Sequence, residues 1–217
     1  MAFIVFEGGE ATGKSTQIKL LSDWLQSCGI SCLVTREPGG APFAEDIRAL
    51  FKGNPRHDDH PTAVTELLLV MAARAQHVER TIRPALEHGT WVLCDRFLDS
   101  SYVYQGIRGG VSNDYINAVA AGVLQGVVPD LTLVFDAPVE VARARMGDRD
   151  VGSDRLDGMD EALHTKINDG FVLLAEKQHP WPGGVVPRRH VVDASRTVVE
   201  VAAAVQELVR RHVEVPA

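Results

Sequence analysis

Three features of the sequence predict an α/β fold, with a mainly parallel sheet of about five strands covered by helices on both faces. Short apolar runs rich in β-branched and aromatic residues alternate with longer stretches whose apolar residues recur at helical spacing. Glycine, proline or aspartate punctuates most junctions. The polar clusters suited to chemistry fall just after the short runs, where such sheets bind ligands.

Phe3-Ile-Val-Phe6 is the first strand and stops at Gly8-Gly9. Lys14 to Gln26 follows as a helix with Ile18, Leu21 and Leu25 on one face. Ser31 to Thr35 is the second strand. A short helix around Phe43 to Lys52 and a long one from about Thr62 to Glu87 separate it from the third, Thr90 to Cys94, which Gly89 announces. Leu131 to Phe135 is the fourth, after the breaker Val128-Pro129-Asp130, and His190 to Asp193 is a fifth, edge strand. Arg145 to Asp160 is dense in Gly, Asp and Arg with little apolar periodicity; it reads as a mobile charged loop flanked by helices. No repeat, low-complexity tract or linker interrupts the chain, so residues 1–217 read as one domain.

A chain of 217 residues can bury a real core. Its net charge of -7 argues against broad nucleic-acid or acidic-membrane binding, and no apolar run is long enough to span a bilayer. Three cysteines, Cys28, Cys32 and Cys94, give no paired framework and read as reduced thiols. The opening residues read as a strand and not as a signal peptide, so a cytoplasmic location is expected. His57-Asp-Asp-His60 has the composition of a metal site, yet it lies between Pro55 and Pro61 and reads as a solvated loop.

Gly8-Gly-Glu-Ala-Thr-Gly13-Lys14-Ser15 satisfies the phosphate-binding pattern Gly, four residues, Gly-Lys-Ser, between a strand and an amphipathic helix. Gly8, Gly9 and Gly13 permit a tight loop, and the backbone N–H groups from Glu10, Ala11 and Thr12 to Thr16 can point inward at phosphates beside a helix N-terminus. Lys14 is placed for the β- and γ-phosphates of ATP and the Ser15 hydroxyl for Mg²⁺. The fold class narrows to a P-loop NTPase fold. No Asn-Lys pair favours guanine, and the length leaves little room for a motor's coupling domain.

A second set lies opposite. Arg36-Glu-Pro38-Gly-Gly40 closes strand two, Asp95-Arg96 closes strand three, and Arg48 and Arg74 sit on the two helices between. Arginine's planar fork suits a second phosphate, although a surface salt bridge is the ordinary alternative for each one singly. Asp95 either holds a Mg²⁺-bound water or fixes Arg96. Ser100-Ser101-Tyr-Val-Tyr104-Gln105-Gly106 bunches hydroxyls, a phenol and an amide in one expected loop, the groups that read a base edge and a sugar.

Taken in order, Glu10 in the P-loop, Thr35-Arg-Glu-Pro-Gly-Gly40, Ala72-Ala-Arg74-Ala-Gln-His, Asp95-Arg-Phe97 with Ser100-Ser101 and Tyr104-Gln-Gly106, Pro129-Asp-Leu-Thr132 with Phe135-Asp136, and Asp154-Arg-Leu-Asp157 resemble bacterial thymidylate kinases over essentially the whole chain. The resemblance implies transfer of the γ-phosphate of ATP to dTMP by a homodimeric enzyme. It implies that Glu10 reads the 3′-hydroxyl and that Arg48 and Arg96 bind the acceptor phosphate. Arg74 and Gln105 would face the pyrimidine, Ser100 or Ser101 would line the base pocket, and Tyr104 would pack under the deoxyribose. Residues 145–160 would be a lid. Ala11 stands where some members carry a basic residue, so Arg149 or Arg155 of the lid would supply the transition-state cation. Val70 stands where the family usually stacks a Phe on thymine; Phe43, Phe51 or Phe97 is left to compensate. A kinase for another pyrimidine nucleotide such as dUMP stays open, as, more remotely, does an ATP-binding switch without transfer.

Overall fold

The computed structural model describes residues 1–53, 59–147 and 161–215. In chain order the elements are β1 (Phe3–Gly8), α1 (Lys14–Ser27), β2 (Cys32–Arg36), α2 (Pro42–Lys52), α3 (Ala63–His77), α4 (Arg83–Glu87), β3 (Trp91–Asp95), α5 (Leu98–Ser101), α6 (Asn113–Leu124), β4 (Leu131–Asp136), α7 (Val139–Gly147), α8 (Glu161–Glu176), β5 (Arg189–Asp193) and α9 (Val198–His212). The strands form one parallel sheet in the order β2-β3-β1-β4-β5. β5 is an edge strand, as expected.

β1 is buried along its whole length, and its side chains divide by the period of two. Phe3 and Val5 join a core with Leu67 and Met71 of α3, Ile116 of α6 and Phe171 of α8. Ile4 and Phe6 join a second core with Leu21 and Leu25 of α1 and Val201 and Val205 of α9. Two helical layers thus enclose the sheet. The register pairs Phe6 with Asp95, Gly8 with Phe135 and Arg36 with Asp95, so the carboxyl ends of four strands meet at one edge.

Two expectations need correction. The long helix is a continuous helical run interrupted by a π-helical stretch, Val78–Ile82, just before Pro84, whose ring nitrogen cannot donate to the helix ladder. The segment from Ser100 to Gly106 is helical, not a loop: α5 runs into a π-helical stretch over Tyr102–Arg108. The core takes up Leu98, Tyr102 and Val103, and helical bonding satisfies the backbone they carry inside. Among the described residues, no helix is long and apolar enough to cross a membrane.

Candidate active site

Gly8 ends β1 with φ 135°, and a Cβ there would stand 2.5 Å from the Phe135 carbonyl oxygen. Only glycine lets the loop leave the sheet so close to β4. Gly13, at φ 94°, turns the chain into α1 without a side-chain cap. By contrast Thr62, Ser112 and Thr197 cap α3, α6 and α9 with their hydroxyls. The first turn of α1 is left for an anion. Lys14 curls back over the loop, donating from Nζ to the carbonyls of Gly9 (2.6 Å) and Gly8 (3.1 Å). Burial, then the neighbouring Arg96, push its ammonium down to about 8. Thr16 is exposed on the same turn.

A cavity of about 260 Å³ opens beside this loop. Its walls include Glu10 to Ser15, and across from them Arg36, Pro38, Arg48, Arg74 and Arg96. The four arginines, from two strand ends and two helices, are brought together as expected. Val70, Ser100, Ser101, Tyr104 and Gln105 also line it, with Asp95 at its floor. Of the aromatic residues weighed against Val70, Phe51 and Phe97 line the cavity, whereas Phe43 is 60% exposed and does not.

Each arginine is held differently. Arg96 has a left-handed backbone (φ 71°) and donates to Glu10 Oε1 (2.7 Å), the Gly8 carbonyl (3.0 Å) and Ser100 Oγ (3.3 Å), with Tyr104 stacked 5.1 Å away. Arg96 in turn holds Glu10 down at about 2, so that carboxylate is ionised at any physiological pH. Asp95 acts on Arg96 through its charge, which favours the guanidinium; its Oδ1 is buried and accepts no hydrogen bond among the described residues. Arg74 is buried and donates to Glu37 Oε2 (2.6 Å), the Phe97 carbonyl (2.8 Å) and Ser101 Oγ (3.1 Å). Behind it His77 bridges Glu37 and Thr35 at 3.0 and 2.8 Å. Arg48 donates to the Pro38 carbonyl at 2.6 Å, and Arg36 pairs with Glu45 at the surface. Gln105 reaches Glu66 at 3.4 Å.

Arg149, Arg155 and most of the 145–160 segment lie outside the described residues, as do His57 and Asp58. Arg145, at the end of α7, was missed as a site residue: its Nη1 lies 3.8 Å from where a Cβ on Gly13 would stand. Glu7, Glu37 and His77 were missed too. A lone carboxylate within the apolar first strand was the available signal for Glu7, because unpaired charges are rarely buried.

A P-loop at the carboxyl edge of a parallel sheet, facing a cavity ringed by arginines, defines a P-loop nucleotide kinase. Residues 6–204 match the thymidylate kinase family model, and the chain belongs to that family. It is 47% identical over 206 residues to the thymidylate kinase of Marinomonas sp., covering 94% of this chain and 92% of that one. The Caulobacter vibrioides thymidylate kinase is 44% identical over 207 residues, with 95% of each chain covered. A crystal structure of thymidylate kinase from Ehrlichia chaffeensis superposes with a TM-score of 0.73 at 28% identity, over 96% of this chain and 98% of the other.

Proposed function

We propose that the chain transfers the γ-phosphoryl group of ATP to dTMP, giving dTDP and ADP. The observation that carries this reading is the cavity itself, which has a phosphate-binding loop on one wall and four arginines on the other. An acceptor phosphate is already anionic at neutral pH, so the reaction needs alignment and charge neutralisation more than a general base. Lys14 serves the donor phosphates, with Arg48 and Arg96 on the acceptor phosphate. Arg74, Gln105 and Ser100 or Ser101 face the base; Glu10 takes the 3′-hydroxyl, and Tyr104 packs under the sugar.

The donor set fits Mg²⁺: Ser15 offers a hydroxyl, and Asp95 a buried carboxylate oxygen without a partner among the described residues. Mg²⁺ would neutralise charge on the phosphates. A lid over residues 145–160 belongs to the same single-domain reading. Its transition-state cation is Arg149, Arg155 or, at its start, Arg145. A cytoplasmic homodimer is part of the proposal, supported by Val64 and Leu68 of α3, apolar side chains exposed by 42% and 46%. Leu67 and Met71, one helical step away, are core. Sedimentation should give twice the chain mass; a monomer would remove that part.

The test is ADP release with ATP and Mg²⁺ against dTMP, dUMP, dCMP, UMP and thymidine presented separately. Strong preference for dTMP is expected. Preference for dUMP would keep the kinase and move the specificity to Val70 and its neighbours, and release without any acceptor would favour an ATP switch.

A further inference from the structure

Glu7 takes no part in the chemistry above, yet it is wholly buried between the phosphate loop and the acceptor wall. On β1 it occupies the same face as Phe3 and Val5, a position the period of two assigns to core. A carboxylate there is costly unless it is hydrogen-bonded. Three donors meet it. Oε1 accepts from the backbone N–H groups of Phe97 (2.8 Å) and Ser100 (3.1 Å), and Oε2 accepts from the Ser100 hydroxyl (2.7 Å).

These bonds decide what Ser100 offers the cavity. While Glu7 is ionised, the one Ser100 proton goes to it, so the Ser100 oxygen remains an acceptor for Arg96 Nη1 at 3.3 Å. The neighbouring residues of β1 grip the same turn. The Phe6 carbonyl accepts from the Arg96 N–H (2.9 Å), and the Gly8 carbonyl accepts from its guanidinium (3.0 Å). Arg96 stands at φ 71°, a conformation that costs a non-glycine residue energy and needs such support. Gly8 O also accepts from Lys14 Nζ (3.1 Å), so the strand end touches the cations of both phosphate sites.

We propose that Glu7 is a positioning residue for phosphoryl transfer, acting through Ser100 to aim Arg96 at the acceptor phosphate. The proposal rests on the reading of Arg96 as an acceptor-phosphate ligand. It predicts that the polarity of the Glu7–Ser100 bond matters, not only its presence.

Glu7→Gln tests this. The amide oxygen must stay opposite the two backbone N–H groups, so the amide nitrogen faces Ser100 and turns its hydroxyl round. Measured beside it at about pH 8.5, where Glu7 is ionised, are Ser100→Ala, the double variant and Arg96→Ala, each with the KM for dTMP, the KM for ATP, kcat and the melting temperature. Glu7→Gln should lower kcat/KM for dTMP about 10- to 100-fold, the scale of a slightly misplaced group, while the KM for ATP stays within about twofold. Ser100→Ala should do the same, and the double variant should be no worse than either single one. Should Glu7→Gln not fold, Ser100→Ala still decides. Unchanged kcat/KM in Glu7→Gln or Ser100→Ala, additive losses, or parallel loss of ATP and dTMP affinity with melting temperature, would overturn the proposal. Loss in Arg96→Ala without loss in Glu7→Gln would overturn the role of Glu7 alone. No loss in Arg96→Ala would overturn the Arg96 reading as well.

Discussion

The two walls of the cavity are built on opposite plans. The donor wall is one contiguous stretch, Glu10 to Ser15, whose working groups are backbone N–H groups and one lysine. The acceptor wall draws Arg36, Arg48, Arg74 and Arg96 from four elements and holds two of them on buried or half-buried acids, Glu37 and Glu10. A backbone site needs little beyond its glycines and the following helix. A side-chain site needs a second set of residues to aim the first, and those residues carry stability as well as function. Mutations should therefore separate activity from stability on the donor wall and couple them on the acceptor wall.

The two largest effects should come from cations at the transferring group. Lys14→Met lowers transfer by at least about 10²-fold, the scale of losing one preorganised charge partner. The ligand-free melting temperature should hold or rise, because burial pushes Lys14 down to about 8 and the variant removes a poorly solvated cation. Activity surviving within a factor of ten would end the assignment. Next, alanine at the cation among Arg145, Arg149 and Arg155 that meets the transferring group should slow kcat by about 10³-fold or more. The KM for dTMP should barely move. If all three variants keep near-normal kcat, the neutralising charge comes from elsewhere.

Arg74→Met tests the acceptor wall. It leaves Glu37 inside the protein with His77 alone, where removing one member of a buried pair costs about 3–5 kcal/mol. Urea unfolding should show that loss together with a raised KM for dTMP. An unfolding midpoint equal to that of the wild type would mean that the two walls do not differ as argued.

How far each wall was legible in the sequence follows from the same contrast. The P-loop spelled itself out because its geometry needs particular residues at adjacent positions, and the alternation of strands and helices carried the sheet. The four arginines were legible because they sit at strand ends and on the helices between, which the fold brings to one edge. Their partners were not. Whether Arg74 meets Glu37 and Ser101, or Arg96 meets Glu10 and Ser100, depends on tertiary packing across separations of up to 86 residues. The helical form of Ser100 to Gly106 was hidden for a related reason. Its polar residues suggest a loop, and only the core packing of Leu98, Tyr102 and Val103 reveals the helix.

Acidity separates two carboxylates that stand three residues apart. Burial, and then Asp99, push Glu7 up to about 7, whereas Arg96 holds Glu10 down at about 2. A raised folded-state value means that the native protein keeps a proton the unfolded chain has released. Glu7 therefore contributes stability that is full below about 4.5 and lost as pH rises through about 7. Glu10 does the reverse, and its contribution disappears as pH falls through about 2. Glu7→Gln should accordingly flatten the fall in melting temperature between pH 5 and 7 by at least about 2 °C. A profile parallel to that of the wild type over this range would show that the carboxyl titrates as in water.

The smallest effect concerns the base pocket, where Val70 and Phe51 share the wall. Stacking on a base is worth about 1–3 kcal/mol, and an aromatic ring on α2 can supply it as well as one on α3. Phe51→Leu should then raise the KM for dTMP about tenfold, leaving the KM for ATP alone. Adding Val70→Phe to that variant should recover most of the loss. The comparison is kept within dTMP because the single methyl that distinguishes it from dUMP is worth only about 1–3 kcal/mol in a fitted pocket. If Phe51→Leu is silent and Val70→Phe alone tightens dTMP, the ring of α2 is wall and not platform. The base is then held chiefly by the Arg74 and Gln105 edge, and specificity belongs to the polar side of the acceptor site.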